Sequence, residues 1–349
     1  MSLPPPTVSV LMAAYNGAAL LPETIESVRV QSFDDWELVV VDDCSTDDTL
    51  ALLKGYADPR IRVIAAETNG GPVETRNRAF AECRGRYIAA LDQDDLCHPD
   101  RLWKQVAWLD AHPECVLVSS AANFLFDDTI KPAHFTRRLT PELIDFLMLI
   151  RNPFVWSSVM FRADAARRLD PFERPELRYA EDFDLYHRLR RFGTLAQVDE
   201  ELLTYRCHTG GASQRYNDMM AANARRVLEE AHARLLGRAS PEASALLREH
   251  VMLRRPVPDI ATLLALFEVI GRLQEAFCAQ LHIGEPARAR ITREISLLWW
   301  ETCRTALRAG VLPLRKVIAA TPRRIDASLR QPTDLFVSRV IGGVRRLRA

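Results

Sequence analysis

The sequence predicts an α/β fold, in which a mostly parallel sheet with helices on both faces is followed by an all-helical C-terminal region. Two observations predict it. Over the first two hundred residues, apolar runs rich in β-branched residues alternate with stretches of helical spacing, a pattern typical of a parallel sheet covered on both faces. From about residue 216 these runs disappear, and Ala, Leu and Arg recur at helical spacing.

The first region is Rossmann-like, and four strands are expected in its sheet. Each is a continuous apolar run, as expected for a strand buried on both faces. The four strands span residues 7–12, 36–43, 60–66 and 86–92. Helical patterns lie between them, and we expect Ser45 or Thr46 to cap the second helix, with Asp47 and Asp48 in its first turn, because Ser and Thr favour the cap and the helix dipole favours acids there.

The second region begins near residues 214 to 218, which predicts two domains, residues 1–215 and residues 216–349. Helical spacing in the second domain runs through 219–237, 241–253, 258–281 and 287–309. The chain of 349 residues carries 46 basic and 46 acidic side chains, but the balance is uneven. The first domain has a net charge of −9 and the second of +9, which suggests two units with different tasks.

Composition also narrows the cellular setting. The seven cysteines show no C-x-x-C pair and no regular spacing, which argues against a disulfide framework or a zinc site. The N-terminus has no basic residue before Arg29 and no apolar run approaches 18 residues, so neither a signal peptide nor a membrane span is expected. The sequence therefore predicts a cytoplasmic protein.

Acidic residues follow two of the expected strands. Asp42 and Asp43 end the second, and Asp92, Asp94 and Asp95 end the fourth. In open parallel sheets, ligands bind outside the carboxyl ends of the strands, and carboxylates this close repel one another unless a cation or water compensates.

Three familiar nucleotide or metal motifs can be excluded at these positions. The sequence contains no G-x-G-x-x-G after the first strand and no G-x-x-x-x-G-K-[ST]. A calcium loop starting at Asp92 would have Cys97 in place of Gly and Trp103 in place of Glu. What remains is Mg²⁺ or Mn²⁺ held by one or two carboxylates together with the phosphate oxygens of a substrate.

Several motifs, in order, resemble the nucleotide-sugar-binding half of the family 2 glycosyltransferases, which have the glycosyltransferase A fold. The segments that carry the resemblance are VSVLMAAYNGAALLPETIESVRVQSFDDWELVVVDDCSTDDT, ETNGGPVETRNRAF, GRYIAALDQDD, VMFRADAARRL, YAEDFDLYHRL and YRCHTGGAS. They cover roughly residues 7 to 214. Two departures, Cys44 in place of the common Gly and Thr75 in place of Ala, remove no chemical group.

The resemblance implies a role for each matching residue. Those expected to contact the nucleotide sugar are Ala13, Ala14, Tyr15 and Asn16 beside the base and ribose, Asp42 and Asp43 at the base, Asn69 and Arg76 along the nucleotide, Asp92 at the ribose or the metal shell, and Arg206 and Ser213 over the diphosphate. Asp94 is expected to bind the metal ion, with His208 as a further ligand, and Asp182 matches the general base of inverting members.

The implied activity is an inverting transfer of a sugar from a nucleotide-diphosphate sugar, with a UDP-sugar first among donors, to a hydroxyl of a glycan or lipid-linked acceptor. Mg²⁺ or Mn²⁺ is the implied cofactor, cell-envelope or extracellular polysaccharide synthesis the implied setting, and nucleic acid is not an expected partner. Two alternatives remain: a sugar-nucleotide pyrophosphorylase, which would normally carry a Gly-rich loop after the first strand, and a nucleotide-sugar-binding module without catalysis.

Each site residue also has a plainer interpretation. Asp182 opens a helix and could only offset its dipole, while Asp184 is a competing base. His208 could be an ordinary loop histidine and Arg76 a charge on a helix surface. Trp156 could belong to the core or form a wall for the acceptor sugar.

The end of the chain is strongly basic. Residues 301–349 contain eleven basic and three acidic side chains. Apolar runs such as LLWW at 297–300 and LFVSRVIGGVRRL at 335–347 are interleaved with the arginines, a pattern typical of helices that lie on anionic membranes. The same pattern fits helices that pack or form a homo-oligomer. The sequence therefore predicts either a peripheral contact with the inner face of the cytoplasmic membrane or an oligomerisation unit.

Overall fold

The computed structural model describes residues 4–132, 138–208, 215–330 and 332–348, which form two compact units. The first unit comprises residues 1–141 and 153–216, and the second comprises 142–152 and 217–349. The sequence placed residues 142–152 in the first domain, whereas the structure groups them with the second unit. Phe146 in this segment lies with its ring 5.7 Å from that of Phe277, a tertiary contact that no local pattern encodes.

The first unit is built on a mixed sheet. Among the described residues its strands are β1 (Val8–Ala14), β2 (Trp36–Asp42), β3 (Ile61–Ala65), β4 (Tyr87–Ala90), β5 (Leu96–Cys97), β6 (Cys115–Phe126), β7 (Thr129–Pro132), β8 (Met160–Arg162) and β9 (Thr194–Cys207). Their order is β3-β2-β1-β4-β8-β6-β9-β5, with β7 paired to β6. The first four strands pair in parallel, and β8 joins them antiparallel to β4.

Burial explains why the parallel half of the sheet forms. All seven residues of β2 and all four of β4 are buried, as expected for strands covered on both faces. In register, Ala14 of β1 pairs with Asp42 of β2, and Leu11 pairs with Ala90 of β4. The carboxyl ends of these strands therefore lie side by side, and the polar residues that follow them meet at one edge.

Helices cover this sheet. In the first unit they are α1 (Leu21–Arg29), α2 (Thr49–Gly55), α3 (Pro72–Glu82), α4 (Arg101–Ala111), α6 (Ala163–Ala166) and α7 (Glu181–Leu189), and α5 (Pro141–Leu147) crosses into the second unit. The expected cap of α2 is wrong. The helix begins at Thr49, because Ser45 and Thr46 instead form hydrogen bonds with Asn16 in the loop after β1.

The regular secondary structure of the second unit is helical among its described residues. It contains α8 (Asn217–Leu236), α9 (Ser240–Leu247), α10 (Ile260–Gln280), α11 (Glu285–Arg308), α12 (Leu314–Ala320) and α13 (Pro332–Arg348). Trp299 and Trp300 are fully buried, and Trp299 meets Phe267 edge-on with ring centroids 4.9 Å apart. The indole N–H of Trp300 donates to the carbonyl of Asp326 at 3.0 Å. The expected α/β class and helical C-terminal region are confirmed.

None of the described helices combines the length and the apolar character needed to cross a membrane.

Candidate active site

The loops after β1 and β2 are bound directly to each other. The backbone N–H of Asn16 donates to Ser45 Oγ at 3.0 Å, and the N–H of Thr46 donates to Asn16 Oδ1 at 2.8 Å. Asn16 has a φ of 47°, in the left-handed region that asparagine tolerates better than most residues. The loop is therefore fixed at the carboxyl end of β1, where Tyr15 is 45% exposed.

Gln93 connects the loop after β1 to the acidic turn after β4, and sequence reasoning missed it. Its Oε1 accepts from Tyr15 N–H at 2.9 Å, and its Nε2 donates to the carbonyl of Tyr15 at 3.0 Å. A Cβ on Gly17 would lie 2.3 Å from Gln93 Oε1, so glycine is needed for this close approach. Gln93 thus holds two parts of the site together, a role hinted at only by its position between two aspartates.

Asp42 and Asp43 have different surroundings. Asp42 is buried; its Oδ2 accepts from Ser45 N–H at 3.1 Å, while its Oδ1 has no partner among the described residues. Both oxygens of Asp43 accept backbone N–H groups, those of Gly70 and Gly71, each at 2.8 Å. Asp43 therefore anchors the turn into α3, while Asp42 keeps one acceptor atom for another donor.

Asn69 belongs to the same anchor. Its Nδ2 donates to the carbonyl of Asp43 at 3.0 Å, so its side chain faces the protein. Its expected contact with the nucleotide stays a prediction, as do the expected contacts of Ala14 and Tyr15.

The acidic turn after β4 divides its charges between two directions. Asp94 Oδ2 lies 2.8 Å from His208 Nε2, and both side chains are partly exposed. Asp95 is fully buried, and its Oδ1 accepts the backbone N–H of Arg206 at 3.0 Å. Asp95 therefore joins the end of β9 to this turn and, unlike Asp94, faces inward.

Arg206 points its guanidinium at α1. The guanidinium forms an ion pair with Glu23, and the side chain is 10% exposed. In the structure its charge is thus already matched by a protein carboxylate, and its expected place over a diphosphate stays a prediction. Ser213, expected in the same segment, lies outside the described residues.

Arg76 is a buried hub of acidic contacts. From α3, its Nε donates to Glu173 Oε2 at 2.9 Å, and its terminal nitrogens contact Glu181 and, at 3.7 Å, Asp92 Oδ1. Its guanidinium also lies 5.1 Å from the centre of the Trp156 ring. The interpretation of Arg76 as a helix-surface charge is wrong, because its side chain is only 9% exposed. It joins the acidic turn after β4 to the start of α7.

Glu173 is a second residue that sequence reasoning missed. It is fully buried, with one oxygen bonded to Arg76 and Oε1 without a partner among the described residues. Its backbone is held by Asn77, whose Oδ1 accepts its N–H at 2.8 Å and whose Nδ2 donates to its carbonyl at 2.9 Å. A lone Glu in a loop gives no sequence signal for such burial.

The two candidate bases on α7 differ in what surrounds them. Asp184 is 3% exposed, and its carboxylate is held by Arg174 and, at 2.7 Å, by Arg188 Nε. These ion pairs leave it a structural role. Asp182 lies in the first turn, where its Oδ1 accepts the N–H of Phe183 at 2.7 Å, and it is close enough to Arg76 and Asp92 to act on them electrostatically.

Burial and nearby negative charge raise the pKa values of two carboxyl groups strongly. Desolvation raises the pKa of Glu173 to about 7, although the adjacent Arg76 opposes the rise. Desolvation, followed by the negative charges of Asp94 and Asp182, raises the pKa of Asp92 to about 6 despite Arg76. Such shifts are typical of functional sites in crevices. The buried Arg76 thus does not fully offset the acidic groups that surround it.

Two further predictions concern Trp156 and the metal ion. Trp156 is 7% exposed, which favours the core interpretation over an open wall for the acceptor sugar. Among the described residues, no group of three or more His, Cys, Asp or Glu side chains is arranged to hold a metal ion. Within the part of the chain that the structure describes, the protein offers the Asp94 and His208 pair and no more complete ligand set.

Comparison with known proteins identifies the family of this chain. The family described as glycosyl transferase family 2 matches residues 9–171. Among related proteins, y4gI of Sinorhizobium fredii is 36% identical over 249 residues, 68% of this chain and 26% of that protein. The succinoglycan biosynthesis protein ExoO of Rhizobium meliloti is 37% identical over 161 residues, 46% of this chain and 44% of that protein. The chain thus spans less than half the length of these two relatives.

A third relative is matched over most of its length, and solved structures share the fold. TuaG of Bacillus subtilis, assigned as a teichuronic acid biosynthesis glycosyltransferase, is 31% identical over 205 residues, 58% of this chain and 79% of that protein. TarS 1–349 of Staphylococcus aureus in complex with UDP-GlcNAc superposes with a TM-score of 0.55 at 18% identity, covering 98% of this chain and 92% of that one. The mannosyltransferase PcManGT of Pyrobaculum calidifontis, in complex with GDP-Man and Mn²⁺, gives 0.53 at 18% identity, covering 98% and 87%. The chain belongs to glycosyltransferase family 2.

Proposed function

We propose that this chain transfers a sugar, with inversion, from a nucleotide-diphosphate sugar to a hydroxyl of a glycan or lipid-linked acceptor. The observation that carries the proposal is the crevice at the carboxyl ends of β1, β2 and β4. There the structure brings the Asp92-to-Asp94 turn, Arg76 and the Glu181-Asp182 turn together. These groups supply what the reaction needs, namely a positioned base and a place for a charged leaving group.

The donor is best matched by a uridine nucleotide. The structural neighbour TarS is in complex with UDP-GlcNAc, and PcManGT with GDP-Man. In this chain, Asp42 Oδ1 is a buried acceptor without a partner among the described residues, and a buried acceptor is stabilised by an N–H donor. The N3–H of uracil is such a donor, so a UDP-sugar is the first donor to test.

Asp182 is proposed as the general base. An acceptor hydroxyl is a poor nucleophile until its proton is removed, and a positioned carboxylate typically contributes about 10²–10⁴-fold to such a step. The Asp182 carboxylate takes the proton as the acceptor oxygen forms its bond to C1, and the C1–O bond to the diphosphate breaks on the opposite face. Asp184 cannot share this role while Arg174 and Arg188 hold its oxygens.

The residues present fit a divalent cation. Asp94 Oδ2 and His208 Nε2 lie 2.8 Å apart, and neighbouring carboxylate and imidazole groups are ligands that Mn²⁺ accepts, with Mg²⁺ relying more on oxygen. Asp94 and His208 would hold the ion together with diphosphate oxygens. Bound there, it would offset the negative charge that develops on the leaving diphosphate. PcManGT provides a parallel, since it is in complex with Mn²⁺.

The setting proposed is polysaccharide synthesis at the cell envelope, in line with the names of ExoO and TuaG. We propose further that the second unit contacts an anionic membrane surface through α13. Phe336, Val337 and Val340 on this helix are 50–59% exposed, while Leu335 and Ser338 are buried. An exposed apolar face on a strongly basic segment is typical of helices that lie on such membranes.

A donor-turnover assay tests the proposed transfer. The protein is incubated with UDP-, GDP- and dTDP-sugars and glycan or lipid-linked acceptors, with Mn²⁺, with Mg²⁺ and with a chelator, and the anomeric configuration of the product is read by NMR. We expect one donor class to be turned over with inversion and the chelator to suppress the rate. Donor binding without turnover by any acceptor would instead favour a binding module without catalysis.

A further inference from the structure

Glu173 stands apart from the other acids of the crevice because no motif includes it and no proposed step uses it. It is fully buried, yet the only side-chain bond that the structure gives its carboxylate among the described residues is the 2.9 Å bond from Arg76 Nε. A buried carboxylate with one bare oxygen is costly. Such a cost calls for a reason beyond local stability.

The contacts of Arg76 supply that reason. Its guanidinium reaches Glu173, Glu181 and Asp92, so the position of Glu173 decides where this cation sits between the acidic turn and α7. The segment that carries Glu173 is itself fixed, since the side chain of Asn77 bonds both its N–H and its carbonyl. Glu173 is thus held by its backbone, and Arg76 is held by Glu173.

We propose that Glu173 is a positioning residue for the transfer reaction: it holds Arg76 between the acidic turn and the first turn of α7 and, when ionised, raises the proton affinity of Asp182. This inference rests on the proposed function. An ionised Glu173 offsets the guanidinium, so that less positive charge acts on Asp182 and the base stays strong. A neutral Glu173 leaves Arg76 with Glu181 and Asp92 as its acidic partners, so more positive charge acts on Asp182 and the base weakens.

The groups that face Glu173 from the surrounding elements are consistent with this coupling. They are Arg76 on α3, Asp92 after β4, and Asp182 and Tyr186 on α7. Because burial raises the pKa of Glu173 to about 7, its charge changes within the pH range in which the enzyme would work. Glu173 can therefore vary the strength of the base without touching the substrate.

The test compares Glu173→Gln with the wild-type protein across pH. Glutamine keeps an acceptor for Arg76 Nε but stays neutral, so it imitates the protonated glutamate. We expect kcat of the variant to equal the wild-type value within about twofold near pH 6 and to fall about tenfold below it near pH 8.5, as for a base weakened by about one pKa unit. Donor affinity should change by less than about threefold.

Asp184→Asn is the matched control. Asp184 is also a buried acid held by arginine, on α7 itself, but its partners are Arg174 and Arg188 and not Arg76. We expect this variant to lose thermal stability and to change kcat by the same factor at every pH. A merely structural role for Glu173 would give Glu173→Gln that same pH-independent behaviour and would overturn the inference.

Two further outcomes keep the inference distinct from the proposed function. If Glu173→Gln does not fold, the wild-type profile decides: kcat must rise between about pH 6 and pH 8.5, and a flat profile overturns the inference. If the wild-type protein turns over no donor with any acceptor, the proposed function fails first. An active wild type with a pH-independent variant defeats only the role of Glu173.

Discussion

The two units of this chain treat charge in opposite ways. The first buries charged groups at one edge of its sheet, where Arg76, Glu173, Glu181 and Asp95 are all less than 9% exposed. The second is basic, keeps many of its arginines exposed, and fills its interior with apolar residues such as Trp299 and Trp300. Buried charges are costly unless they are paired. Their concentration in the first unit therefore indicates that the functional site lies there.

The largest effect should come from Asp182→Asn. The amide keeps the size of the side chain but cannot take a proton, so transfer should slow by about 10²–10⁴-fold while the protein stays folded. Donor binding should hardly change, which calorimetry with a UDP-sugar can check. Transfer at a near wild-type rate would remove Asp182 as the base, and Asp184, bound by two arginines, could not readily replace it.

Asp94→Ala should have the next largest effect. The variant lacks the carboxylate that lies beside His208, so the gain in nucleotide affinity that Mn²⁺ gives the wild type should fall by about 10²-fold or more. Calorimetry of UDP with and without Mn²⁺ measures that gain. Asp43→Asn is a useful contrast, because Asp43 binds the N–H groups of Gly70 and Gly71: it should lower stability and leave the metal dependence intact.

Glu173→Gln should also change stability, and in the opposite direction to its effect on kcat. The pKa of Glu173 is raised from 4.5 to about 7 in the folded protein. Between those values the unfolded chain has lost the proton that the folded one keeps, so the wild type loses stability as pH rises, by up to about 3 kcal/mol.

Glutamine does not ionise, so the Glu173→Gln variant does not lose this stability as the pH rises. The variant should therefore match the wild type near pH 5 and be more stable near pH 8, as urea unfolding at the two pH values can measure. A variant that is less stable than wild type at both pH values would show that the ion pair with Arg76 outweighs burial.

These positions show how far the sequence alone could reach. The four parallel strands, the helical second unit and the acidic turns were predictable because apolar runs, helical spacing and clustered carboxylates are local signals, whereas β5 to β9 were not predicted from the sequence. The contacts of Glu173, Gln93 and Asp95 were not, because each depends on which distant segment packs beside it, such as Asn77 against the loop that carries Glu173.

Arg76 shows the same limit of prediction from sequence. The sequence predicted that it lines the nucleotide, and its Arg-Asn context gave no sign of the acids around it. Glu173 and Glu181 lie 97 and 105 residues further along the chain. Its place along the nucleotide stays a prediction, while its acidic partners emerged only from the fold.

The second unit can be tested by its exposed face on α13. A second copy of the chain could cover this face, but a two-fold interface brings each patch against its own copy, and residues 301–349 carry eleven basic and three acidic side chains. Like charges would then meet, whereas an anionic bilayer would neutralise them, each basic residue near the surface contributing about 1 kcal/mol. Charge thus favours the membrane as the partner.

The measurement is sedimentation with anionic and neutral vesicles. We expect binding only to anionic vesicles, weakening with salt, and about tenfold weaker binding for Phe336→Ser, since a buried Phe side chain is worth about 1.5–3 kcal/mol. Leu281→Ser is the matched control, because Leu281 is 47% exposed in the same unit but lies outside α13. If the wild-type protein ignores anionic vesicles at low salt and instead sediments as a dimer that Phe336→Ser dissociates, the face is an interface between copies and the membrane proposal is wrong.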